Sequence, residues 1–232
     1  MNKKVKNKIE QFSIDFLIVF LGVLAAFALG NWGEQKKESK VELKILSEIK
    51  NGLDEDLADL DFNINGHKKG LAANYFFSSL INGNQPKVDS LAQFYTDLLN
   101  DFIPVQNLSG YETLKSRGLE IIKNDSLRKE ILSLYENDYN ILRKREEEHE
   151  EFQFFRNYNA DFKDFIVRNF ELNSDGDVFV DYPLKLTEDE KDVLLINLWK
   201  IRHNRNFLLN NYKEVKGKII QLQNHIKKEQ KR

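Results

Sequence analysis

One stretch near the N-terminus, residues 12–32 (FSIDFLIVFLGVLAAFALGNW), constrains the fold of this chain more than any other feature. Every residue from Phe16 to Leu29 is apolar or glycine, and lysines precede and follow the run. At about 1.5 Å per helical residue, the stretch spans about 31 Å as a helix, close to the hydrocarbon thickness of a bilayer. The stretch therefore predicts an uncleaved membrane anchor.

Two other interpretations of this stretch stay open. A cleaved signal peptide is one, because Ala26-Phe27-Ala28 has the small residues of a cleavage site. A buried helix of a soluble core is the other, because the uninterrupted apolar run is short for a membrane span. We prefer the anchor because of its ends: the carboxylate of Asp15 can still reach the headgroups, and the indole of Trp32 prefers the interface.

The orientation and the domain limits follow from the flanks of the apolar stretch. Lysines are balanced on its two sides, so the positive-inside rule decides little by count. A short N-terminal tail is easily retained, whereas a long following domain is exported regardless of its charge. We therefore expect residues 1–11 in the cytoplasm, residues 12–32 in the membrane and residues 33–232 in one exported domain.

The composition limits the classes of function that the exported domain can have. The chain has 232 residues and a net charge of −2 with interspersed signs, which argues against a nucleic-acid-binding face. It has no cysteine, which removes disulfides, thiolate metal sites and cysteine nucleophiles. Three prolines and eleven glycines are few for this length, and such scarcity favours long uninterrupted helices.

Apolar residues recur at spacings of three and four beyond the apolar stretch. This pattern predicts a helix that continues from the membrane to about Asn65. Gly66 and Gly70 then loosen the pattern, so a second helix is predicted over 71–81. After a turn that is rich in asparagine and glycine, a short helix is predicted that is capped by Asp89 or Ser90 and carries the apolar residues from Leu91 to Leu99.

The middle of the chain contains two further predicted helices. Ser109 and Glu112 have the spacing of a capping box, which predicts a short helix that ends at Gly118. The next helix is predicted to start at Asp125 or Ser126 and to run to about Phe170, because no helix breaker interrupts its ladder of apolar residues.

The last helix has the cleanest pattern in the chain. Thr187 and Glu190 form a capping box at its start. Steps of four and three then alternate, with one arginine as the only polar member of the ladder: Leu194, Leu198, Ile201, Arg205, Leu208, Tyr212, Val215, Ile219, Leu222 and Ile226. Sustained 3.5-residue spacing is typical of a coiled-coil seam.

These elements predict an all-α fold class, with one N-terminal transmembrane helix followed by an elongated helical bundle. The loop before the last helix is short, so the last two helices are expected to form a long antiparallel coiled-coil-like hairpin. At about 1.5 Å per residue, each arm of the hairpin would be roughly 60 Å long.

Small residues form one face of the predicted membrane helix. Gly22, Ala26 and Gly30 recur every four residues, and Asp15 lies along the same face. Such a face lets helices approach closely, so we expect membrane helix packing, either with a second copy or with another membrane protein. The alternative is that small residues are simply common in membrane helices and that Asp15 reaches water. Trp32 is the predicted interface anchor.

Motifs for catalysis or metal binding are lacking in the sequence. Glu146 and His149 have the Glu-x-x-His spacing of carboxylate-bridged iron sites, but the second copy that such a site needs does not occur. The run 146–151 (EEEHEE) is therefore predicted to be a solvated helix face. No glycine-rich phosphate loop, HExxH or GxSxG motif appears. We expect no catalytic residue, no cofactor and no metal, and hence not an enzyme.

Two segments of the chain resemble a known family. Residues 21–34 (LGVLAAFALGNWGE) resemble the IGILIALQINNWNE start of a bacterial family of unknown function, although Gly30 and Gly33 stand where that family usually has asparagines. Residues 111–118 (YETLKSRG) and 121–128 (IIKNDSLR) are similar to its central segment. The resemblance implies a single-pass protein of the bacterial inner membrane with an exported, periplasmic helical domain. It supplies no activity.

The central segment also contains the candidate partner or ligand site, at Tyr111, Lys115, Ser116 and Arg128. The alternative is a structural bend that packs on the hairpin. We expect a non-catalytic scaffold or interaction subunit of an envelope assembly. It would contact the lipid bilayer, form a homo-oligomer or join other membrane-protein subunits, and bind no nucleic acid. A sensory or ligand-binding ectodomain is the alternative function.

Overall fold

A computed structural model describes residues 3–86, 91–176 and 178–231, with side chains from Phe16 onward. About 82% of the chain is helical and 3% is strand, which confirms the all-α class. The helices and strands are α1 (Lys3–Ile81), α2 (Leu91–Leu99), α3 (Ser109–Arg117), α4 (Asp125–Leu132), α5 (Tyr139–Glu148), α6 (Phe154–Asn169), β1 (Phe170–Leu172), β2 (Val178–Val180) and α7 (Glu188–Glu229). The two short strands pair antiparallel.

The first helix is longer than its sequence pattern indicates. Helix α1 has 79 residues and is about 120 Å long. The prediction that it ends near Asn65 is wrong, because the helix continues through Gly66 and Gly70. A Cβ atom at Gly66 would overlap the ring of Phe102, and one at Gly70 would lie 2.5 Å from the guanidinium of Arg205. These glycines therefore give space to neighbouring side chains instead of ending the helix.

Helix α1 consists of three consecutive parts. The large apolar side chains between residues 16 and 32 are 48–68% exposed, and none of them belongs to the buried core. Residues 33–41, which we call the neck, continue as a single, mostly exposed helix of about 14 Å. The bundle begins at Glu42, the first buried residue. A helix of a soluble core would be buried, so the exposure argues against that interpretation of the apolar stretch.

The predicted single helix from Asp125 to Phe170 is wrong in detail. A π-helical turn over Ser133–Asp138 separates α4 from α5, and a 3₁₀ turn over Glu150–Phe152 separates α5 from α6. Helix α5 ends where His149 takes an extended backbone conformation, with φ −83° and ψ 111°. Neither break falls at a glycine or proline, so the sequence offered no signal for them.

The antiparallel hairpin is nevertheless present, with α4 to α6 as one segmented arm and α7 as the other. Residue numbers that increase along the first arm pair with residue numbers that decrease along α7. The pairs are Asn124 with Glu229, Asp138 with Lys218, Arg145 with Asn211, Asp161 with Asn197, and Arg168 with Glu190. Helix α1 also lies antiparallel to α7, through Asp54 with Gln223, Asp61 with Lys216, and Asn74 with Leu198. Every member of the predicted α7 ladder is buried.

One of the two predicted capping boxes is confirmed. The Thr187 hydroxyl accepts a hydrogen bond from the Glu190 backbone, and the Glu190 carboxylate accepts one from the Thr187 backbone. The box at Ser109 is wrong, because the Ser109 hydroxyl and N–H donate to Asn107 Oδ1 instead. Gly118 ends α3 as predicted, with a φ of 97° that an L-residue rarely adopts.

Helix α3 lies close to the backbone of α1 at Gly110. A Cβ atom there would lie 2.6 Å from the backbone nitrogen of Ile49 and 2.9 Å from the carbonyl carbon of Glu48. Backbone atoms cannot rotate away as side chains can, so Gly110→Ala should push α3 off α1. We expect it to lower the free energy of unfolding by about 2–4 kcal/mol.

Urea denaturation of the detergent-solubilised protein, followed by circular dichroism, measures this loss. Gly217→Ala is the matched control, because Gly217 also lies within a helix but has nothing within 4 Å of the Cβ position among the described residues. It should leave the stability unchanged or raise it by up to about 1 kcal/mol. Equal stabilities of Gly110→Ala and the original chain would contradict the steric argument.

Candidate functional site

The small-residue face of the apolar stretch is open. Apart from the neighbouring backbone of α1 itself, no atom of the described residues lies within 4 Å of the Cβ position at Gly22 or Gly30, and Ala26 is exposed. The side chain of Asp15 lies outside the described part of the chain. At the end of the stretch, Trp32 is 61% exposed and the Lys36 ammonium lies 4.9 Å from its ring centre.

The structure brings two of the four central candidate residues together. Tyr111 is buried, stacks on Tyr135 with ring centres 4.5 Å apart, and donates a hydrogen bond to Glu136 at 2.6 Å. The Lys115 ammonium lies 3.7 Å from the same Glu136 carboxylate. Burial, followed by the hydrogen bond to Glu136, raises the pKa of Tyr111 and keeps the phenol protonated.

The other two central candidates make their contacts elsewhere. The exposed Ser116 hydroxyl donates to the Thr113 carbonyl within α3. The guanidinium of Arg128 donates to the Ile122 carbonyl at 2.9 Å and pairs with Asp125 at 2.6 Å, so it holds the turn before α4. Each of these contacts fits the structural interpretation of the segment, and a shared ligand site stays a prediction.

A second set of polar side chains, which the sequence did not single out, lies in the core where α1, α2 and α7 meet. Arg205 is fully buried, and its Nη2 donates to the backbone carbonyls of Asp97 (3.1 Å), Leu98 (2.8 Å) and Asn100 (3.0 Å). Its Nη1 lies 2.9 Å from Nδ1 of His67. The last carbonyl groups of a helix lack hydrogen-bond partners within that helix. The buried Arg205 supplies the missing donors at the end of α2.

The contacts of His67 determine its protonation state. A guanidinium only donates, so Nδ1 of His67 must accept, and the ring proton lies on Nε2. This N–H donates to the Phe102 carbonyl at 3.0 Å, which also accepts the Tyr212 hydroxyl at 3.0 Å. Burial first, and the charge of Arg205 second, lower the pKa of His67 to about 3. The imidazole is therefore neutral at physiological pH.

The buried charge of Arg205 is compensated without an ion pair in the described part of the chain. The guanidinium faces the ring of Phe154 at 4.3 Å and that of Phe102 at 5.7 Å, both favourable for a cation. The negative end of the α2 dipole adds to this attraction. Burial lowers the pKa of Arg205 to about 10, so it stays protonated at neutral pH. We call Arg205, His67 and Tyr212 the arginine cluster.

Glu146 lies near this cluster without a compensating group. It is 3% exposed, and neither carboxylate oxygen has a hydrogen-bond partner among the described residues. The prediction that residues 146–151 form a solvated face is therefore wrong for Glu146 and correct for 147–151, which are exposed. Burial raises the pKa of Glu146 to about 8. The nearby Tyr212 hydroxyl opposes this rise, although its proton is donated to the Phe102 carbonyl.

Side chains of α1 also hold the segment that links α2 to α3, residues 100–108, which we call the strap. The strap has no regular secondary structure. The carboxylate of Asp59 accepts the backbone N–H of Val105 at 2.8 Å, and that of Asp56 accepts the N–H of Asn107 at 2.6 Å. These bonds satisfy backbone groups that would otherwise lack partners.

The arginine cluster and the strap have the properties of a structural clamp. Within the described ranges, no group of three or more histidine, aspartate or glutamate residues is arranged to hold a metal ion. The clamp instead joins α1, α2, α7 and the strap through buried hydrogen bonds. One signal for it was visible in the sequence, because Arg205 is the only polar member of the α7 ladder.

The fold and this core define the class of the protein: an all-α protein in which one long helix links an exposed apolar stretch to a clamped helical bundle. The chain belongs to a family of unknown function (DUF6090), whose family model matches residues 15–194. The expected membership in a family of unknown function is thereby confirmed, whereas its bacterial and membrane character stays a prediction. No curated protein and no solved structure matches the chain.

Proposed function

We propose that this protein is a single-pass, membrane-anchored scaffold without catalytic activity, a subunit of an envelope assembly. It holds its helical bundle about 14 Å clear of the bilayer, on the periplasmic side of a bacterial inner membrane. One observation carries the proposal. Helix α1 passes without a break from the apolar stretch through the neck into the bundle core, so a single rigid element connects anchor and bundle.

The length, hydropathy and exposure of the apolar stretch support its insertion into a membrane. The helix contains a window that is long and apolar enough to cross a membrane, and none of that window is buried within the chain. Exposure of so many large apolar side chains to water is unfavourable, and lipid would cover them.

Single-cysteine variants test the anchor and its orientation, because the chain has no cysteine of its own. Ser39→Cys in the neck and Asn210→Cys on α7 are both exposed positions. We expect both to react with a membrane-impermeant maleimide in cells with a permeabilised outer membrane. Asn2→Cys should react only after lysis. The reverse labelling pattern would overturn the orientation, and an unprocessed chain in the alkaline carbonate supernatant would overturn the anchor.

The scaffold role is tested by affinity purification from detergent-solubilised membranes. A stable protein partner in near-stoichiometric amount is the expected result. A co-purifying small molecule with no protein partner would overturn the scaffold and favour a ligand-binding ectodomain.

The small-residue face is expected to mediate contact between membrane helices. Replacing Gly22 and Ala26 together with leucine should reduce association in a membrane two-hybrid assay by about fivefold or more, because leucine keeps the backbones apart. Ala28→Leu is the control, since it adds bulk on the opposite side of the helix. Unchanged association in the Gly22 and Ala26 variant would remove this role.

A further inference from the structure

The outer face of α7 has an exposed apolar stripe opposite its buried ladder. Its members are Val193, Ile196, Trp199, His203 and Phe207. The four large apolar side chains among them are 41–55% exposed. Trp199 stacks on His203 with ring centres 5.6 Å apart, which joins the two halves of the stripe. The stripe is about 21 Å long, and Phe207 at its end also stacks on Phe152 of the bundle with ring centres 5.6 Å apart.

Carboxylates border this stripe at its membrane-distal end. A groove of about 270 Å³ between α6 and α7 lies beside Val193, and its charged lining residues are Asp161, Asp164, Arg168, Asp189 and Glu190. Arg168 pairs with Glu190 at 2.6 Å, so these two charges offset each other. The three aspartates are exposed, and within the described ranges Asp189 makes no ion pair. The border is therefore negatively charged.

We propose that the stripe and its acidic border are the docking site for a cationic amphipathic helix of a partner protein. The inference rests on the proposed scaffold function and names the class of partner. The apolar face of such a helix would cover Ile196 and Trp199, and its lysines and arginines would lie against the aspartates. An exposed apolar surface rimmed by charged residues is typical of a protein-binding site.

Charge argues for a different protein over a second copy of this chain. Copies anchored in one membrane share an orientation, so two α7 helices related by a two-fold axis would meet in parallel at the same height. Asp189 would then face Asp189 of the second copy, and Lys200 would face its own counterpart. Like charges that face each other across an interface are unfavourable, whereas a cationic helix would complement the acidic border.

Trp199 allows a direct test of this site. The only other tryptophan is Trp32, so Trp32→Phe leaves Trp199 as the single reporter. The probe is an amphipathic peptide of leucine and lysine, about 18 residues or five turns long, added to the full chain in nanodiscs of zwitterionic lipid. We expect a saturable shift of the Trp199 emission to shorter wavelength, because the indole leaves water. The same peptide with glutamate in place of lysine should leave the emission unchanged.

Matched variants locate the binding. Ile196→Glu should weaken binding of the lysine peptide about tenfold or more, because it places a charge in the middle of the apolar contact. Leu43→Glu is the control: Leu43 is also exposed, at 41%, but lies at the membrane-proximal end of the bundle. Neither position is buried, and circular dichroism verifies that both variants fold.

Three outcomes would overturn the docking site: no shift with the lysine peptide, an equal shift with the glutamate peptide, or equal binding by Ile196→Glu. A dimer without peptide that Ile196→Glu dissociates, measured by mass photometry of the nanodiscs, would assign the stripe to a second copy and also overturn it. Carbonate extraction and cysteine labelling do not depend on this surface. Failure of the docking site is therefore distinguishable from failure of the anchor.

Discussion

Replacing Arg205 with alanine is expected to lower the free energy of unfolding by about 4 kcal/mol. The substitution removes the donor for the carbonyls of Asp97, Leu98 and Asn100, which would remain in the core without a hydrogen-bond partner. It also leaves a cavity beneath the ring of Phe154, which packs on the guanidinium. Both effects act in the same direction.

Chemical denaturation of the detergent-solubilised protein measures the loss. Arg202→Ala is the matched control, since Arg202 lies on the same helix but is only partly buried, and its loss should change the stability by no more than about 0.5 kcal/mol. Nuclear magnetic resonance of His67 gives a second readout, because removal of the Arg205 charge should raise the pKa of that imidazole. A stability of Arg205→Ala close to that of the Arg202 variant would contradict the clamp.

Replacing Glu146 with glutamine is expected to stabilise the protein at neutral pH. The pKa of Glu146 is about 8 in the folded protein against an ordinary value of 4.5. At a pH between these two values, Glu146 is deprotonated in the unfolded chain and protonated in the folded chain. The free energy of unfolding of the original chain therefore falls by about 1.4 kcal/mol for each pH unit of increase. Glutamine has no such proton. The gain at pH 7 should therefore be roughly 3 kcal/mol.

The pH dependence distinguishes this mechanism from better packing alone. Unfolding free energies at pH 5, 6, 7 and 8 should diverge steadily between the two proteins, with only a small difference at the lowest pH. Glu148→Gln is the matched control, because Glu148 lies one half-turn away and is exposed. Its stability should follow that of the original chain at every pH. A difference between Glu146→Gln and the original chain that does not change with pH would contradict a buried, protonated carboxyl group.

The elements that could be predicted from the sequence are those whose cause is local. The seam of α7 follows from a 3.5-residue period, and its start follows from the hydrogen bonds between Thr187 and Glu190. Gly118 ends α3 because its φ of 97° suits only glycine well. Each of these signals lies within a few neighbouring residues, so no knowledge of the tertiary structure was needed.

The wrong predictions concern residues whose role depends on distant neighbours. Gly66 and Gly70 were interpreted as the end of a helix, yet they provide space for Phe102 and Arg205. Glu146 lies in a run of charged residues that indicates a solvated face, yet the fold buries it. A glycine that ends a helix and a glycine that gives space to a neighbour look the same in the sequence, as do an exposed and a buried glutamate. Only the packing of the helices distinguishes them.

The candidate site was predictable only in part. Tyr111 and Lys115 do meet, because they lie one turn apart on α3 and both contact Glu136. Ser116 and Arg128 make their contacts elsewhere. The exposed stripe on α7 was hidden in the sequence because its spacing of three and four is the same as that of the buried ladder on the opposite face.

The sequence alone determined the all-α class, the long apolar stretch and the coiled-coil seam of α7, because periodic patterns along a helix are properties of neighbouring residues. The tertiary structure decided the continuity of α1, the burial of Glu146 and the arginine cluster. Arg205 and His67 are 138 positions apart in the chain, and only the antiparallel packing of α1 on α7 brings them within hydrogen-bonding distance. Contacts between such distant residues depend on how the helices pack, and the spacing of residues along one helix does not predict them.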